Sequence, residues 1–469
     1  MSTFSGLNTA ASALAAARRG MDVTGQNIAN QTTAGYTRQR LETSALASIA
    51  QAGRFSTGPV PGHGVSIDGV ARLGDALLDA RVRDAVGASA YWGTRAEAAR
   101  AAESAMAEPT DAGLAATLTR FWTGWQDLAN APDSGAAAAV VLTNAETLAA
   151  QIAAGYTAAS RQWSDVRAGV DRTVTEINTA ADQIAQLNRE IRDALNAGRS
   201  ANELIDRRNV IAEDVARAAG AQATVEADGT LTVRIDGNAL VSGVQARHLV
   251  VAGPQGVAAG EPVTVAWEHR PDAPLASIGG ELGGALSVLA PAAADGTIAR
   301  VAEAYNALAA RLAETVNAQH AAGVTSAGTP GGAFFALSGT GPAALGLSVV
   351  PTGLDELALA RPGAGPLDAS NADAISRLGT GAASPDALWA DFVTSFGVAT
   401  AGDVQRATVA EVSAATSVQA QQSVAGVDGD EETVQLLTYQ TAYQAAARVL
   451  TAVDEALDVL INRTGLVGR

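Results

Sequence analysis

The residues that could do chemistry are sparse and scattered along the chain. The four histidines, His63, His248, His269 and His320, lie far apart, and no H-E-x-x-H zinc motif occurs. Cysteine is absent and every basic residue is arginine, which excludes thiolate sites, a P-loop lysine and Schiff-base chemistry. No G-x-S-x-G nucleophile motif is present either. The sequence therefore predicts no catalytic site, no metal site and no cofactor.

An acidic cluster and the tryptophans are the remaining candidates for binding. The cluster "VDGDEE", at 427–432, could be a calcium loop, but it lacks the ligand spacing of an EF-hand. A helix N-terminus capped by acids is the favoured interpretation. The tryptophans are interpreted as core or rim packing and not as a cofactor box: Trp122, Trp125, Trp163, Trp267 and Trp389.

Composition limits the class of protein. The 469 residues are 48% hydrophobic but only 4% aromatic, which favours closely packed helices in several domains over one large pocketed core. A net charge of −17 argues against a nucleic-acid partner, because phosphates need a cationic face. No segment has the pattern of a membrane helix, and Arg18 and Arg19 follow the first apolar stretch instead of preceding it as in a signal peptide.

The first predicted element is a helix with a coiled-coil pattern. Leu7, Leu14, Met21 and Ile28 recur every seven residues, and small residues fill a second track at the alternating three–four spacing. This pattern indicates a seam with another helix. The alternative is an ordinary amphipathic helix that packs on the core of its own domain.

The far end of the chain carries a matching pattern. The same alternation runs through Leu436, Tyr439, Tyr443, Ala446, Leu450, Val453, Leu457 and Leu460. The first helix is basic and the last is acidic, which favours antiparallel pairing of the two ends. Because the pair buries little apolar surface for the residues that it orders, we expect the ends to need further partners.

The stretch "NIANQTTAGYTRQR" follows the first helix with a run of polar residues. Asn30 and the neighbouring threonines should end the helix, since Asn tolerates the left-handed cap conformation and Thr competes for backbone hydrogen bonds. Gly35 permits a turn, and Tyr36 can anchor the chain as it reverses. Arg38 and Arg40 would then face acidic surfaces. An ordinary helix end with a surface loop explains the geometry equally well.

Between the two ends, the pattern changes from helix to strand and back. Residues 46–75 are predicted to be irregular or extended, and helix is expected from about Leu77 to Gly220 and again from about Gly284 to His320. We predict a mainly α fold with small β insertions in three domains. These are a terminal helical domain (1–45 and 427–469), a helical-bundle domain (46–322 and 385–426) with a β insertion at about 221–275, and a small outer Gly/Pro-rich domain (323–384).

Several segments resemble one family. "LNTAASALAAARRGMDVTGQNIANQTTAGYTRQ" resembles the N-terminal signature of the axial proteins of the bacterial flagellum, and "DEETVQLLTYQTAYQAAARVLTAVDEALDVLIN" is similar to their C-terminal helix. "FWTGWQDLANAPDSGAAAAV", "ANELIDRRNVIAEDVARAAG" and "YNALAARLAETVNAQHAAG" resemble the hook-associated members of this family. Together the matches cover most of the chain outside residues 323–384.

The resemblance implies a structural, non-enzymatic subunit whose terminal helices build an inner tube. It implies a place at the junction of hook and filament, in contact with further copies, the hook protein and the next hook-associated protein. It also implies export through the flagellar type III apparatus without a cleaved signal peptide, after an export chaperone has covered the C-terminal helix. The candidate assembly residues are Leu7, Leu14, Met21, Ile28, Asn27, Asn30, Gly35, Tyr36, Leu436, Tyr439, Tyr443, Leu450, Val453, Leu457 and Leu460.

Two alternatives remain open from the sequence. The chain could be another axial protein, such as a rod protein, the hook protein or a different hook-associated protein. Alternatively, residues 221–384 could form an enzyme carried on an axial scaffold, although no motif in them supports this.

Overall fold

Helices form most of the chain in the computed structural model, which describes residues 3–47, 62–365 and 367–463. The helices are α1 (Thr3–Ala29), α2 (Ala76–Met106), α3 (Leu114–Asn130), α4 (Gly135–Asn196), α5 (Asn202–Ala219), α6 (Gly280–Leu289), α7 (Thr297–Ala321), α8 (Ala343–Gly346), α9 (Ser370–Ser376), α10 (Pro385–Ala425) and α11 (Gly429–Asp458). A π-helical turn, Val459–Arg463, extends α11. Part of the stretch predicted to be irregular, 48–61, lies outside the described residues.

The strands are short and antiparallel. They are β1 (Gln39–Ala45), β2 (Val65–Arg72), β3 (Gln222–Val225), β4 (Leu231–Ile235), β5 (Asn238–Ser242), β6 (Gln245–Ala246), β7 (Leu249–Ala252), β8 (Thr264–Trp267), β9 (Arg270–Pro274), β10 (Phe335–Ala336) and β11 (Ser348–Val349). β1 pairs with β2, β3 to β6 form one sheet in chain order, β7 to β9 form another, and β10 pairs with β11. The prediction of a mainly α fold with small β insertions is confirmed.

Polar residues begin the long helices where the sequence changes to helical periodicity. The side chains of Asp75, Ser134 and Ser384 accept hydrogen bonds from the first free backbone N–H groups of α2, α4 and α10. Asp428 does the same for α11 by accepting from Asp430 N and Glu431 N. The interpretation of "VDGDEE" as a capped helix start is therefore confirmed.

The helices pack in pairs, and the central helices share one main hydrophobic core. α1 packs on α11, and α2 packs on α10, while α3, α4, α6 and α7 surround the core that the two larger β-sheets close. The core runs along the chain from Ala98 to Phe396, and Trp125, Trp163 and Trp389 are among its largest fully buried side chains. All five tryptophans interpreted as core or rim packing are buried.

Residues 323–384, predicted to form a separate outer domain, share this core. Phe334 and Phe335 pack against Phe121, with ring centroids 6.0 and 5.9 Å away, and Ile375 is buried in the same cluster. Asn317 of α7 holds the segment by accepting hydrogen bonds from the backbone N–H groups of both phenylalanines at 2.8 Å. The segment thus packs onto the helical bundle because its own apolar residues are too few for a second core. How the chain divides into domains stays a prediction.

Two further differences from the sequence prediction concern helices. The helix expected from about Gly284 to His320 is two helices, α6 and α7, separated where Pro291 and Gly296 interrupt the pattern. α4 is also long and apolar enough to cross a membrane by length and composition alone. Its apolar stripe, which includes Leu148 and Ile152, is fully buried in the core.

Candidate assembly interface

The two terminal helices lie antiparallel in contact with each other. Near the ends of the pair, Asn27 reaches Glu432, and a side chain on Gly6 would touch Val453. In the middle, Gly20 lies directly against the ring of Tyr439, where any Cβ would overlap the ring. The predicted antiparallel pairing of the chain ends is therefore present in the structure.

The face of α1 that α11 covers differs from the one emphasised in the sequence. The small residues of the second track, Ala10, Ala17 and Thr24, are buried together with Gly20. Large residues cannot occupy this face because α1 approaches the Tyr439 ring too closely. The predicted large residues therefore lie on the rim: Leu7, Leu14 and Met21 are half-buried, and Ile28 is exposed.

The predicted seam of α11 faces α1 but is only partly covered. Ala446 is buried, whereas six seam residues are half-buried: Leu436, Tyr439, Tyr443, Leu450, Val453 and Leu457. The side chain of Leu460 lies outside the described part of the structure. Whether these residues contact other copies stays a prediction, but the single chain leaves room for such contacts.

A buried asparagine fastens the end of α1 to the start of α11. Asn27 is 1% exposed, and its Nδ2 donates to the Gln39 carbonyl and to Glu432 Oε2, both at 2.9 Å. Its Oδ1 accepts from Gln39 N at 3.0 Å and from the Tyr36 hydroxyl at 2.9 Å. Asn27 thus uses both donors and its acceptor to join three segments of the chain.

Glu432 is the acidic partner of this contact and is buried with only 2% exposed. Arg38 neutralises it by donating from Nε to Glu432 Oε1 at 2.7 Å, and it also reaches Glu431 Oε2 at 2.6 Å. Burial lowers the pKa of the Arg38 guanidinium, but the hydrogen bonds to Glu431 and Glu432 outweigh this and raise the pKa overall. The acidic surface expected to face Arg38 therefore belongs to the same chain.

A second carboxylate ties the loop after α1 to the helical bundle. Asp206 of α5 accepts from Thr37 N at 3.1 Å and forms an ion pair with Arg72 of β2. Burial, then the charges of Asp206, Glu203 and Glu432, raise the pKa of Tyr36 to about 12. Tyr36 therefore stays a neutral donor to Asn27 at physiological pH.

The loop between α1 and β1 has the predicted turn but a different cap. α1 ends at Ala29, and the Asn30 side chain donates to the Gln26 carbonyl at 3.0 Å. Asn30 is not in the left-handed region, so that detail of the prediction is wrong. Gly35 has a φ of +75° instead, and a side chain there would overlap Val210 of α5. Gly35 is needed for both the turn and the close approach.

Several residues of this interface were missed by sequence reasoning. Glu432 was noted only as an acid near a helix start, and Asp206, Arg72 and Gln39 were not singled out. No local signal identifies them, because each is separated by many residues from the groups that it contacts. The nearest clue in the sequence was the expectation that Arg38 would face an acidic surface.

The remaining polar groups do not form a chemical site in the described residues. No group of three or more His, Asp or Glu side chains there could hold a metal ion. A cleft of about 1010 Å³ flanks the loop after α1, but its lining mixes Arg83 and Arg38 with Glu213 and Asp430, so it favours no ligand charge.

Comparison with models of known protein families assigns the two terminal segments and the region between them. A family model described as "Flagella basal body rod protein" matches residues 7–37, and "Flagellar basal body rod FlgEFG protein C-terminal" matches residues 418–463. Between them, "Flagellar hook-associated protein FlgK helical domain" matches residues 99–335, just over half of the chain. The chain belongs to the flagellar hook-associated protein FlgK family. The resemblance to flagellar axial proteins is thereby confirmed.

Individual relatives agree with this family. "Flagellar hook-associated protein 1" of Bacillus subtilis is 26% identical over a 510-residue alignment that covers all of both chains. The protein of the same name in Salmonella typhimurium is 29% identical over 343 residues, which cover 71% of this chain and 59% of the relative. The FlgK hook junction protein of Burkholderia pseudomallei superposes with a TM-score of 0.62 at 18% identity, over 75% of this chain and all of that one, and shares the fold.

Membership of the FlgK family makes the chain a structural component of the bacterial flagellum and not an enzyme. The rod-protein matches cover the two terminal helices that Asn27 and Glu432 connect. Assembly into the flagellum together with other flagellar proteins follows from this family. The alternative of an enzyme carried in residues 221–384 is therefore excluded.

Proposed function

We propose that the chain forms the junction between the flagellar hook and the filament by self-assembly through α1 and α11. Its contacts would be further copies of itself, the hook protein on one side and the next hook-associated protein on the other. The names of the Bacillus subtilis and Burkholderia pseudomallei relatives, which describe a hook-associated and a hook junction protein, support this proposal.

The observation that carries the proposal is the incomplete burial of the terminal helix pair. Leu7, Leu14 and Met21 stay half-buried on α1, while Val434 and Leu437 of α11 are 63% and 56% exposed. Burying such side chains stabilises a contact by about 1.5–3 kcal/mol each, and a neighbouring copy can supply the missing surface. Rows of incompletely buried apolar residues on both helices are typical of an assembly surface.

The buried contact at Asn27 gives the helix pair a defined place on the bundle. Arg38 N donates to the Ala425 carbonyl at 2.9 Å, and Asn27 holds Glu432, so both helices leave the bundle from one point. We propose that the terminal helices line an inner tube and that the helical bundle lies outside it. The residues 1–45 and 427–469 would form the tube wall.

Delivery to the flagellar tip is part of the same proposal. The exposed apolar residues of α11 would associate prematurely in the cell, so an export chaperone would cover this helix before secretion. Export would proceed through the flagellar type III apparatus to the outer end of the hook. The terminal helices would complete their packing only when neighbouring copies are present.

A charge placed on the rim of either helix tests this function. We expect Leu14→Asp or Leu450→Asp to abolish filament attachment in cells, because a carboxylate cannot be buried unpaired between copies. The far-UV spectrum of the purified variants should stay close to that of the wild type, since neither residue belongs to the central core. Val140→Asp, at an exposed valine of α4, is the matched control.

Filaments of normal length on cells that carry Leu14→Asp would contradict the proposal. So would antibody labelling of the wild-type chain along the hook or the rod instead of at the hook end. In that case the chain would be another axial protein of the flagellum.

A further inference from the structure

The pairing of α1 with α11 has a fixed register. Asn27 lies level with Glu432, Gly20 with Tyr439 and Gly6 with Val453, so one step forward along α1 is one step back along α11. Every residue of α1 therefore has a defined level on α11. This register allows the charges and apolar residues of the two helices to be compared level by level.

α11 has a second apolar stripe that faces away from α1. Its members recur every three or four residues and are all exposed: Val434, Leu437, Thr441, Ala445, Val449, Ala452, Ala456 and Val459. The stripe is long and uncovered in the single chain, and Arg448 and Glu455 lie beside it. A second helix with a matching stripe could pack on it.

α1 presents such a stripe on the rim that α11 leaves open. Leu7, Leu14, Met21 and Ile28 repeat with heptad spacing and are half-buried or exposed. Ala11, Arg18 and Gly25 lie between them and are exposed. The rim of α1 therefore fits the outer stripe of another copy's α11.

The charges of the two helices are out of register within one chain. Arg18 and Arg19 lie level with the neutral Thr441 and Gln440, whereas Asp454 and Glu455 lie level with the first turn of α1. In the described part of the chain these four side chains form no ion pair, and neither do Asp22 and Arg448. Unlike Arg38 and Glu432, these charges have no ion-pair partner among the residues that the structure describes.

We propose that a second copy packs its α1 rim on the outer stripe of α11 after a shift of two heptads along the helix axis, about 21 Å. The occupant of the stripe is thus another copy of this chain, and the inference rests on the proposed self-assembly. The shift sets three apolar pairs level: Leu14 with Val459, Met21 with Ala452, and Ile28 with Ala445. Whole heptads keep the two stripes facing each other.

The same shift supplies a partner for a charge that is unpaired in the single chain. Arg18 comes level with Glu455. Basic and acidic side chains of this length pair readily across a helix–helix contact. Both residues are exposed in the single chain and free to do so.

The neighbouring whole-heptad shifts in either direction set no opposite charges level. Each of them sets two like charges level or sets a charge level with a neutral residue. A shift of one heptad brings Arg18 level with Arg448, and a shift of three brings Asp22 level with Asp458. One heptad in the opposite direction sets Asp22 against Asp430, and no shift leaves Arg18 against Thr441. Like-charge contacts exclude wrong registers, so the charge pattern selects the two-heptad shift.

Disulfide trapping tests this register, because the chain has no cysteine of its own. Three double variants share Met21→Cys and add Ala445→Cys, Ala452→Cys or Val459→Cys on the same stripe. A disulfide needs Cα atoms within about 7 Å, and neighbouring stripe positions differ by about 10 Å along the axis. After mild oxidation of isolated flagella, we expect a covalent ladder of copies only for Met21→Cys with Ala452→Cys.

Each outcome of the trapping experiment decides one question. A ladder at Ala445→Cys or Val459→Cys, and not at Ala452→Cys, would overturn the register and leave self-assembly standing. No ladder in any variant, with the chain located at the hook end by antibody, would overturn this contact alone. If the chain is absent from the hook end, the proposed function fails as well.

A charge exchange gives a second measurement that needs no oxidation. We expect Arg18→Glu to reduce the fraction of cells with filaments several-fold and Arg18→Glu with Glu455→Arg to restore it. Arg18→Glu with Asp430→Arg is the matched control, because Asp430 is an exposed acid of α11 that lies far from Arg18 in the proposed register. Rescue by the control pair and not by Glu455→Arg would overturn the proposed register.

Discussion

At the scale of single residues, Asn27 illustrates how a short side chain can connect distant segments. Its amide makes four hydrogen bonds, to both backbone groups of Gln39 and to the side chains of Tyr36 and Glu432. An aspartate in the same place would put a second carboxylate beside Glu432, and an alanine would leave several buried groups unpaired. A buried polar group without a partner costs about 1–3 kcal/mol.

We therefore expect Asn27→Ala to loosen the terminal helix pair by about 2 kcal/mol, which is roughly a thirty-fold change in an equilibrium constant. The measurement is amide hydrogen exchange in α1 and α11, which should accelerate by that factor. Asn8→Ala, at an exposed asparagine of α1, is the matched control. Equal exchange in the two variants would show that Asn27 does not hold the pair.

A buried histidine makes the central fold sensitive to pH. His320 is 1% exposed, its Nδ1 lies 2.8 Å from the Gly332 carbonyl, and its Nε2 accepts from Ala358 N at 3.0 Å. These partners require the neutral ring with the proton on Nδ1. Burial lowers the pKa of His320 below 6.5, and the hydrogen bond to Gly332 only partly offsets this.

The depressed pKa gives stability that is complete above pH 6.5, the ordinary value of the ring, and is lost as the pH falls below it. The unfolded chain binds the proton more readily, so the free energy of unfolding should fall by up to about 1.4 kcal/mol per pH unit. Urea unfolding at a series of pH values should show a shallower slope for His320→Gln. His63→Gln, at an exposed histidine, is the matched control.

At the scale of elements, small residues decide how α1 and α11 fit together. Gly20 and Gly25 lie five residues apart on α1, but Gly20 touches the Tyr439 ring and Gly25 faces open space. Alanine favours a helix over glycine by about 1 kcal/mol. The same substitution should therefore act in opposite directions at the two positions.

We expect Gly25→Ala to slow trypsin cleavage at Arg18 and Arg19 several-fold, since it stabilises the helix without a clash. Gly20→Ala should accelerate cleavage, because the added Cβ would overlap the Tyr439 ring and separate the helices. The two variants differ by position alone, so each is the control of the other. A slower cleavage in both would mean that the helices do not pack as closely as the structure shows.

At the scale of the whole molecule, the central core and the terminal helices are physically separate. The main hydrophobic cluster runs from Ala98 to Phe396, and among the described residues it contains none from α1 or α11. Hydrogen bonds of Arg38 N to the Ala425 carbonyl and of Thr37 N to Asp206 join the segment after α1 to the bundle. Loss of the terminal helices should thus leave the central fold intact.

Limited proteolysis of the purified chain should trim the two ends before the centre. We expect cleavage first within about the first 50 and the last 45 residues, where small cores give least protection. Mass spectrometry identifies the fragment, and its thermal unfolding should match the central transition of the intact chain. A fully protected N-terminus, or a fragment that no longer unfolds cooperatively, would contradict this separation.

Much of the architecture was predictable because it depends on local periodicity and local chemistry. The heptad spacing predicted both terminal helices, Asp428 predicted the start of α11, and the resemblance of the ends predicted the family. The seven-residue repeat also predicted a seam on α1. The repeat alone could not show whether its large residues or the small residues of the second track would face α11.

The amino-acid sequence by itself determined the two terminal helices, the cap at Asp428 and the opposite charge of the ends. Only the tertiary structure decided that the small face of α1 meets Tyr439 and that Asn27, Arg38 and Glu432 form one buried contact. It also decided that residues 323–384 join the central core. The physical reason is that such contacts depend on how closely distant segments approach, which no local pattern of residues specifies.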